Sequence, residues 1–259
     1  MGPADRGAAS WSALARLGGF AGFLAVWWLV SLLTHASPGL LPSPLRVGAF
    51  AWREIAAGEM PMQIAATLAR VLVSFVLAMT AGTIAGYAMG RSARLNALFD
   101  SWLVITLNLP LLVLVILVYI WIGLNDTAAI LAVVAAKAPA VTVIVREGTR
   151  ALDRGLDEVA TVFRVPVGRR LRAIVLPQLA PYLAAAGRSG LSIIWKIVLV
   201  VELLGRPNGV GYALNLYFQN FDVTAILAYG FVFAAIMLVM EGAVLQPVER
   251  RIAAWRVDA

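Results

Sequence analysis

The chain has 259 residues, of which 61% are hydrophobic and only 14% charged, with a mean hydropathy of +0.87; a soluble domain of this length carries about a quarter charged residues. There are no cysteines and one histidine, His35. That excludes disulfides, thiolate chemistry and a Cys-ligated metal, and it leaves no His cluster for zinc. The net charge of +7 reads as Lys- and Arg-rich cytoplasmic loops of a membrane protein rather than as a nucleic-acid surface. Apolar runs of about 20 residues recur, long enough to cross a bilayer as helices, and the alternating segments of about 10 residues typical of a β-barrel are missing. The fold class is therefore an all-α polytopic membrane protein.

Six spans are predicted. The first covers 13–34, ALARLGGFAGFLAVWWLVSLLT. A cleaved signal peptide is the rival reading, but this run outlasts the usual apolar core of about 7–15 residues and ends in a Trp pair, so a retained span is preferred. Residues 35–62 form a connector with the turn signals SPGLLPSP and GEMP. Between them, LRVGAFAWREIAAG has the pattern of a short amphipathic helix on the membrane surface.

The second span covers 63–90 and places Gly82, Gly86 and Gly90 at intervals of four. That spacing puts all three on one helix face, where another backbone approaches closely. A static internal crossing and a crossing that slides during a conformational cycle both fit. The third span, 98–122, contains Pro110 and is expected to be kinked there. A short turn, GLND, leads to the fourth, 127–147.

Residues 148–178 are too long for a turn and too polar to span. Asp157 and Glu158 suit the first turn of a helix, with Val159, Val162 and Phe163 on one face. Val165–Pro166 should break that helix, and Pro166 suits the start of a second, VGRRLRAIVL, ending before Pro177. This predicts two short helices at the cytoplasmic surface, joined by a sharp bend. From the residues alone, a basic helix resting on anionic lipid and a docking site for a partner fit equally well. The fifth span covers 179–204, followed by a Gly-containing loop, GRPNGVGYALNLYFQNFD. The sixth span, 223–246, and a polar tail complete the chain.

Orientation follows from Lys and Arg near the span ends. With the N-terminus in the cytoplasm, that side receives Arg6, Arg16, Arg91, Arg94, seven arginines from Arg146 to Arg172, and Arg250, Arg251 and Arg256. The other side receives Arg46, Arg53 and Arg206. The bias is fourteen to three, so both termini are expected to be cytoplasmic.

Four cations fall within spans: Arg70, Lys137, Arg188 and Lys196. An unpaired charge at mid-bilayer costs about 2.5–3.5 kcal/mol on insertion scales, so each should face a cavity or a partner. Two readings stand. Lys137, Arg188 and Lys196, with Asn108 beside Leu109–Pro110, line a path for an anion; or Arg70 snorkels outward, Arg188 meets backbone carbonyls, and the rest are structural. Glu202, Glu241 and Asp222 are the candidate acidic partners.

The stretch 157–177, DEVATVFRVPVGRRLRAIVLP, resembles the cytoplasmic signature loop of the membrane subunits of ATP-binding cassette (ABC) importers. Glu158, Ala160, Ile174, Leu176 and Pro177 match that pattern at its spacing. Val159 replaces an alanine, and Arg164 occupies the position of a glycine that permits a tight turn. Here Val165–Pro166 is expected to set the bend instead.

LPSP at 41–44, YIWIGLND at 119–126, the Arg188–Trp195 stretch, and Glu202 followed by GVGY at 209–212 are similar to the nitrate, sulfonate and taurine branch of these permeases. The resemblance implies a type I ABC importer-like permease domain over 63–247, with an N-terminal span and external connector (1–62) and a cytoplasmic tail (248–259). It implies an ATPase-coupling surface at Asp157, Glu158, Ala160, Val162, Phe163, Arg164, Pro166 and Gly168. It also implies the bacterial inner membrane, a second permease copy, an external solute-binding protein, and separate ATPase subunits that hold ATP and Mg; the aromatic 206–221 loop fits a reach toward that binding protein and plain interfacial anchoring by Tyr and Phe equally well.

No G-x-x-x-x-G-K-[ST] motif is present, so ATP hydrolysis falls to those partners. A stand-alone secondary transporter is the alternative, but it calls for repeated halves or mid-membrane acids, and neither is visible. A membrane enzyme lacks its catalytic constellation.

Overall fold

The structure is a computed structural model that describes residues 18–19, 22–33 and 41–245. Every regular element among them is helical: α1 (Gly22–Leu33), then α2 (Pro44–Ala57), α3 (Glu59–Arg91), α4 (Ala93–Asn108), α5 (Leu111–Ile122), α6 (Asp126–Arg150), α7 (Arg154–Val162), α8 (Val167–Arg170), α9 (Leu176–Gly205), α10 (Val210–Gln219) and α11 (Val223–Met240). Among the described residues, four helices are long and apolar enough to cross a membrane, and a fifth span results if the bent pair α4–α5 counts as one. The predicted first span, 13–34, contains α1; residues 13–17, 20–21 and 34 of it and the 248–259 tail lie outside the described residues.

The chain forms two compact units, residues 62–212 with 234–259 and residues 1–61 with 213–233. In the smaller unit, LPSP is a helix start. Ser43 Oγ accepts the Arg46 N–H (3.4 Å), and Pro44 takes the first helical position of α2, where a missing N–H costs nothing. Trp27 Nε1 donates to the Pro42 carbonyl (3.1 Å), and Tyr229 Oη donates to Glu54 (3.0 Å).

In the larger unit the core lies between α3, α5, α6 and α9, built from Val71, Ala78, Val115, Val118, Ala132, Ile194 and Val198 among others. The glycine face of α3 packs on α6. A Cβ on Gly82 would stand 2.6 Å from Val141 Cβ, and one on Gly86 would stand 2.6 Å from the Thr142 carbonyl oxygen. Backbone on backbone leaves no flexible tip to move aside. Gly86→Val is expected to cost about 1–3 kcal/mol from overpacking, read as a lower unfolding midpoint of the detergent-purified chain.

Two prolines act differently from their sequence expectation. Pro110 was expected to kink one span, yet α4 and α5 meet at 103°. Leu109, before the proline, is extended (φ −67°, ψ 128°), and Pro110 itself has ψ 128°. Two consecutive non-helical residues break a helix outright, and the steric clash with the proline ring explains the first of them.

Pro177 was expected to end the second short helix. Instead α8 runs through a π-turn (Leu171–Val175) into α9, one apolar helix from Val167 to Gly205. The Leu176 N–H reaches back to the Leu171 carbonyl. This wider turn lies over the carbonyl of Ala173, against which the Pro177 ring would otherwise clash.

Candidate functional site

At one end of the larger unit, α7 stands on the turn beside Arg91. Its start is fixed by Asp153, whose Oδ1 accepts the Gly155 N–H (2.7 Å) and whose own N–H donates to Gln178 Oε1 of α9 (2.9 Å). Its end is a Schellman motif: the Val165 N–H donates to the Ala160 carbonyl (2.9 Å) and the Arg164 N–H to the Thr161 carbonyl (3.1 Å). That motif needs a left-handed residue, and Arg164 supplies it at φ +48°. The bend expected at Val165–Pro166 is thus set one residue earlier, by an arginine in the conformation a glycine adopts freely. Pro166 then precedes α8 as its N-cap. Arg164→Gly is expected to stabilise this corner by about 1 kcal/mol, the usual left-handed penalty of an L side chain, read as slower amide exchange of α7.

Asp157 does not face outward. It forms ion pairs with Arg91 of α3 and with Arg170 of α8 (2.9 Å), tying three elements at one carboxylate. The Arg91 guanidinium, followed by that of Arg170, holds the Asp157 carboxyl below the usual carboxylate range. A depressed folded-state pKa stabilises above the unfolded-state value, and the tie is lost only as pH falls through the lower, folded-state value. Ala160 is buried, whereas Glu158, Arg164, Pro166 and Gly168 are exposed. Val162 and Phe163 are 76% and 75% exposed, with Val159 and Val167 beside them.

The far end of α9 carries a buried ion cluster. Glu202 is 0% exposed and Arg70 is 7% exposed. Arg70 Nη1 donates to Glu202 Oε1 (2.6 Å) and to the Asn208 carbonyl (3.1 Å), Nη2 donates to Asn208 Oδ1, and Nε donates to Asp126 Oδ1 (2.7 Å). Arg206 also pairs with Asp126 (3.0 Å). The expectation that Arg70 snorkels outward fails, because four acceptor atoms of three residues are gathered around it.

The cluster also starts α10. The first N–H groups have no intrahelical acceptor, and Gly209, Val210 and Gly211 donate instead to Gln63 Oε1 (2.6 Å), Thr67 Oγ1 (2.8 Å) and Glu202 Oε2 (2.9 Å). A Cβ on Gly209, at φ +109°, would overlap the Glu202 carboxyl, and one on Gly211 would overlap the Leu199 carbonyl oxygen. The spacing from Glu202 to GVGY is therefore that of a carboxylate and the helix turn it caps. Residues 210–219, expected as loop, are helical because of it.

The four proposed path residues have different surroundings. Lys137 is buried with Nζ 3.3 Å from the Ser189 carbonyl oxygen. Lys196 is exposed, its Nζ 5.4 Å from the centre of the Trp195 ring. Arg188 is exposed on α9. Asn108 Nδ2 donates to the Val104 carbonyl of its own helix (2.8 Å). None of them lines the cavity of about 640 Å³ between α3, α4, α5 and α6.

Residues 78–246 match the family described as binding-protein-dependent transport system inner membrane component. A chain of Escherichia coli K12 provisionally named the aliphatic sulfonates transport permease protein SsuC is 28% identical over 234 residues, covering 90% of this chain and 89% of that one. The taurine transport system permease protein TauC of the same organism is 25% identical over 247 residues, covering 92% and 88%. Among solved structures, an inward-facing conformation of the MetNI methionine ABC transporter superposes with a TM-score of 0.61 at 18% identity, covering 73% of this chain and 92% of that one, a likeness of fold. The matched segment takes in the glycine face, the broken α4–α5 pair, α7 and the Glu202 cap, and the chain belongs to the ABC importer permeases, the inner-membrane components of binding-protein-dependent transport systems, and is a transport subunit rather than an enzyme.

Proposed function

We propose that this chain is the permease of an ATP-driven importer for a small anion of the sulfonate, taurine or nitrate class, worked by separate ATPase subunits that seat on α7. The single observation that carries the reading is the pair Val162 and Phe163, three-quarters exposed at the C-terminal end of a nine-residue helix that is itself anchored through Asp157 to α3 and α8. An exposed apolar tip on a braced base suits a socket in a partner better than it suits water.

Glu158, Arg164, Pro166 and Gly168 surround this tip on the docking face, while Asp157 and Ala160 hold it from behind. In this reading ATP and Mg belong to the ATPases. Six spans, counting 13–34, place both termini and α7 in the cytoplasm, and residues 63–247 form the permease domain. A second copy completes the path, and an external binding protein delivers the solute to the opposite end. The names of the sulfonate and taurine relatives support the solute class, as do the cationic Lys137, Arg188 and Lys196 of the helices.

The test is affinity purification of the tagged chain in mild detergent, with its companions identified, followed by uptake of a radiolabelled alkanesulfonate in vesicles. A P-loop ATPase at a 1:1 ratio and ATP-dependent uptake are expected. An ATPase-free preparation that still moves the solute would replace this reading with a stand-alone transporter.

A further inference from the structure

The cavity between α3, α4, α5 and α6 has no role in the reading above. Its volume is about 640 Å³, and its walls are almost wholly apolar, with Ala85, Phe99, Trp102 and Ala135 typical of them. Two hydroxyls reach it, Thr106 and Thr142, and both are engaged by their own helices. Thr106 Oγ1 donates to the Trp102 and Leu103 carbonyls (3.0 Å each), and Thr142 Oγ1 donates to the Ala138 carbonyl (2.9 Å). Such a surface gives a hydrated anion nothing in exchange for its water, so it is no part of a path for sulfonates.

It does fit a lipid tail. The α4 wall runs along one face from Leu95 to Thr106, eleven helical steps or about 16 Å, close to half of a bilayer core about 30 Å thick. At the Leu95 end stands Arg94. It is exposed and makes no ion pair among the described residues. The charges nearest to it in sequence are engaged elsewhere: Arg91 is paired with Asp157, and Asp100 is paired with Arg146. A single free cation at one end of an apolar slot of half-bilayer length matches an anionic headgroup above one acyl chain.

We infer that this cavity is a binding site for an anionic phospholipid of the leaflet on the α7 side, with its phosphate on Arg94 and one acyl chain lying between α4 and α6. The site is independent of whether an ATPase docks on α7.

The chain has no native cysteine, so a single Thr106→Cys substitution carrying a small fluorophore reports on the slot alone. The labelled full chain, in its assembled state, is placed in phosphatidylcholine nanodiscs containing either brominated phosphatidylglycerol or the same fraction of brominated phosphatidylcholine. Stronger quenching by the phosphatidylglycerol is expected. Arg94→Gln, on an exposed side chain that folding does not need, should reduce that preference about five-fold, the worth of one basic residue at an anionic surface. Ala135→Phe, which fills the slot, should remove quenching by both lipids.

Equal quenching by both lipids in the parent overturns the anionic site. Undiminished quenching in folded Ala135→Phe protein overturns the place of the tail. If unlabelled Thr106→Cys protein instead oxidises to a disulfide-linked dimer and brominated lipid does not quench the labelled protein, the slot belongs to a second copy of the chain and the inference falls.

Discussion

Glu202→Ala is expected to destabilise the protein by about 3–5 kcal/mol, the cost of stripping one partner from a buried ion pair. The total stability of a domain is only about 5–15 kcal/mol, so much of the variant should fail to accumulate. The carboxylate serves two clients at once, the Arg70 guanidinium and the Gly211 N–H at the first turn of α10, and Thr67 reaches it as well. Removing it leaves a buried cation short of an acceptor and a helix start uncapped.

Arg70→Met should be comparably damaging, because it leaves the Glu202 carboxyl at 0% exposure without its cationic partner. The double variant Arg70→Met/Glu202→Leu should recover part of the loss, since an apolar pair does not carry the desolvation cost of two charges. Denaturant unfolding of all three in detergent measures this, and the double-mutant cycle isolates the coupling. Single variants that each lose less than about 1 kcal/mol would show that water reaches the cluster and screens it like a surface pair.

Val162→Asp is expected to release the ATPase while leaving the permease folded and inserted. The side chain is 76% exposed, so nothing in this chain depends on its being apolar, whereas a carboxylate pressed into a partner's apolar socket must give up its hydration. Interface centres of this kind cost about 2 kcal/mol or more when disrupted, roughly thirty-fold in affinity. Glu158→Arg should act through charge in the same direction. Co-purification at a stated detergent and salt concentration reads both. Retention of the ATPase by both variants would mean that α7 lies on lipid and that the motor grips elsewhere.

Much of this was legible in the chain because it obeys spacing rules. Gly82, Gly86 and Gly90 recur on a helical period, and α6 packs on the face they make. The polar 148–178 segment broke the apolar runs and proved to hold a separate helix. Glu202 was legible as an acidic partner for the cations of the spans, and it pairs with Arg70; its link to GVGY was read only as a resemblance, because the bond between them depends on a reversal of the chain that no local pattern encodes. Gln63, Thr67 and Asp126 were missed for the same reason. They lie far from Glu202 in sequence, and the only available hint was a set of polar residues near the ends of otherwise apolar helices.

Pro110 and Pro177 mark the limit of local rules. Both signal trouble for a helix, but whether the chain breaks, as at Leu109–Pro110, or absorbs the ring in a π-turn, as at Leu171–Val175, depends on what lies on either side. The bend was expected at Val165–Pro166, and Arg164 at φ +48° sets it instead.

The π-turn sets a phase between the two ends of the long helix. It holds one residue more than an α-turn, and each residue of a helix advances about 100° around the axis. Deleting a residue there would turn everything before it, Arg170 and α7 included, by that angle relative to Glu202 at the far end. The angular setting of α7 against the Glu202 cap is therefore written in a count of residues, and natural variation in this chain should tolerate exchange at 171–175 far better than insertion or loss.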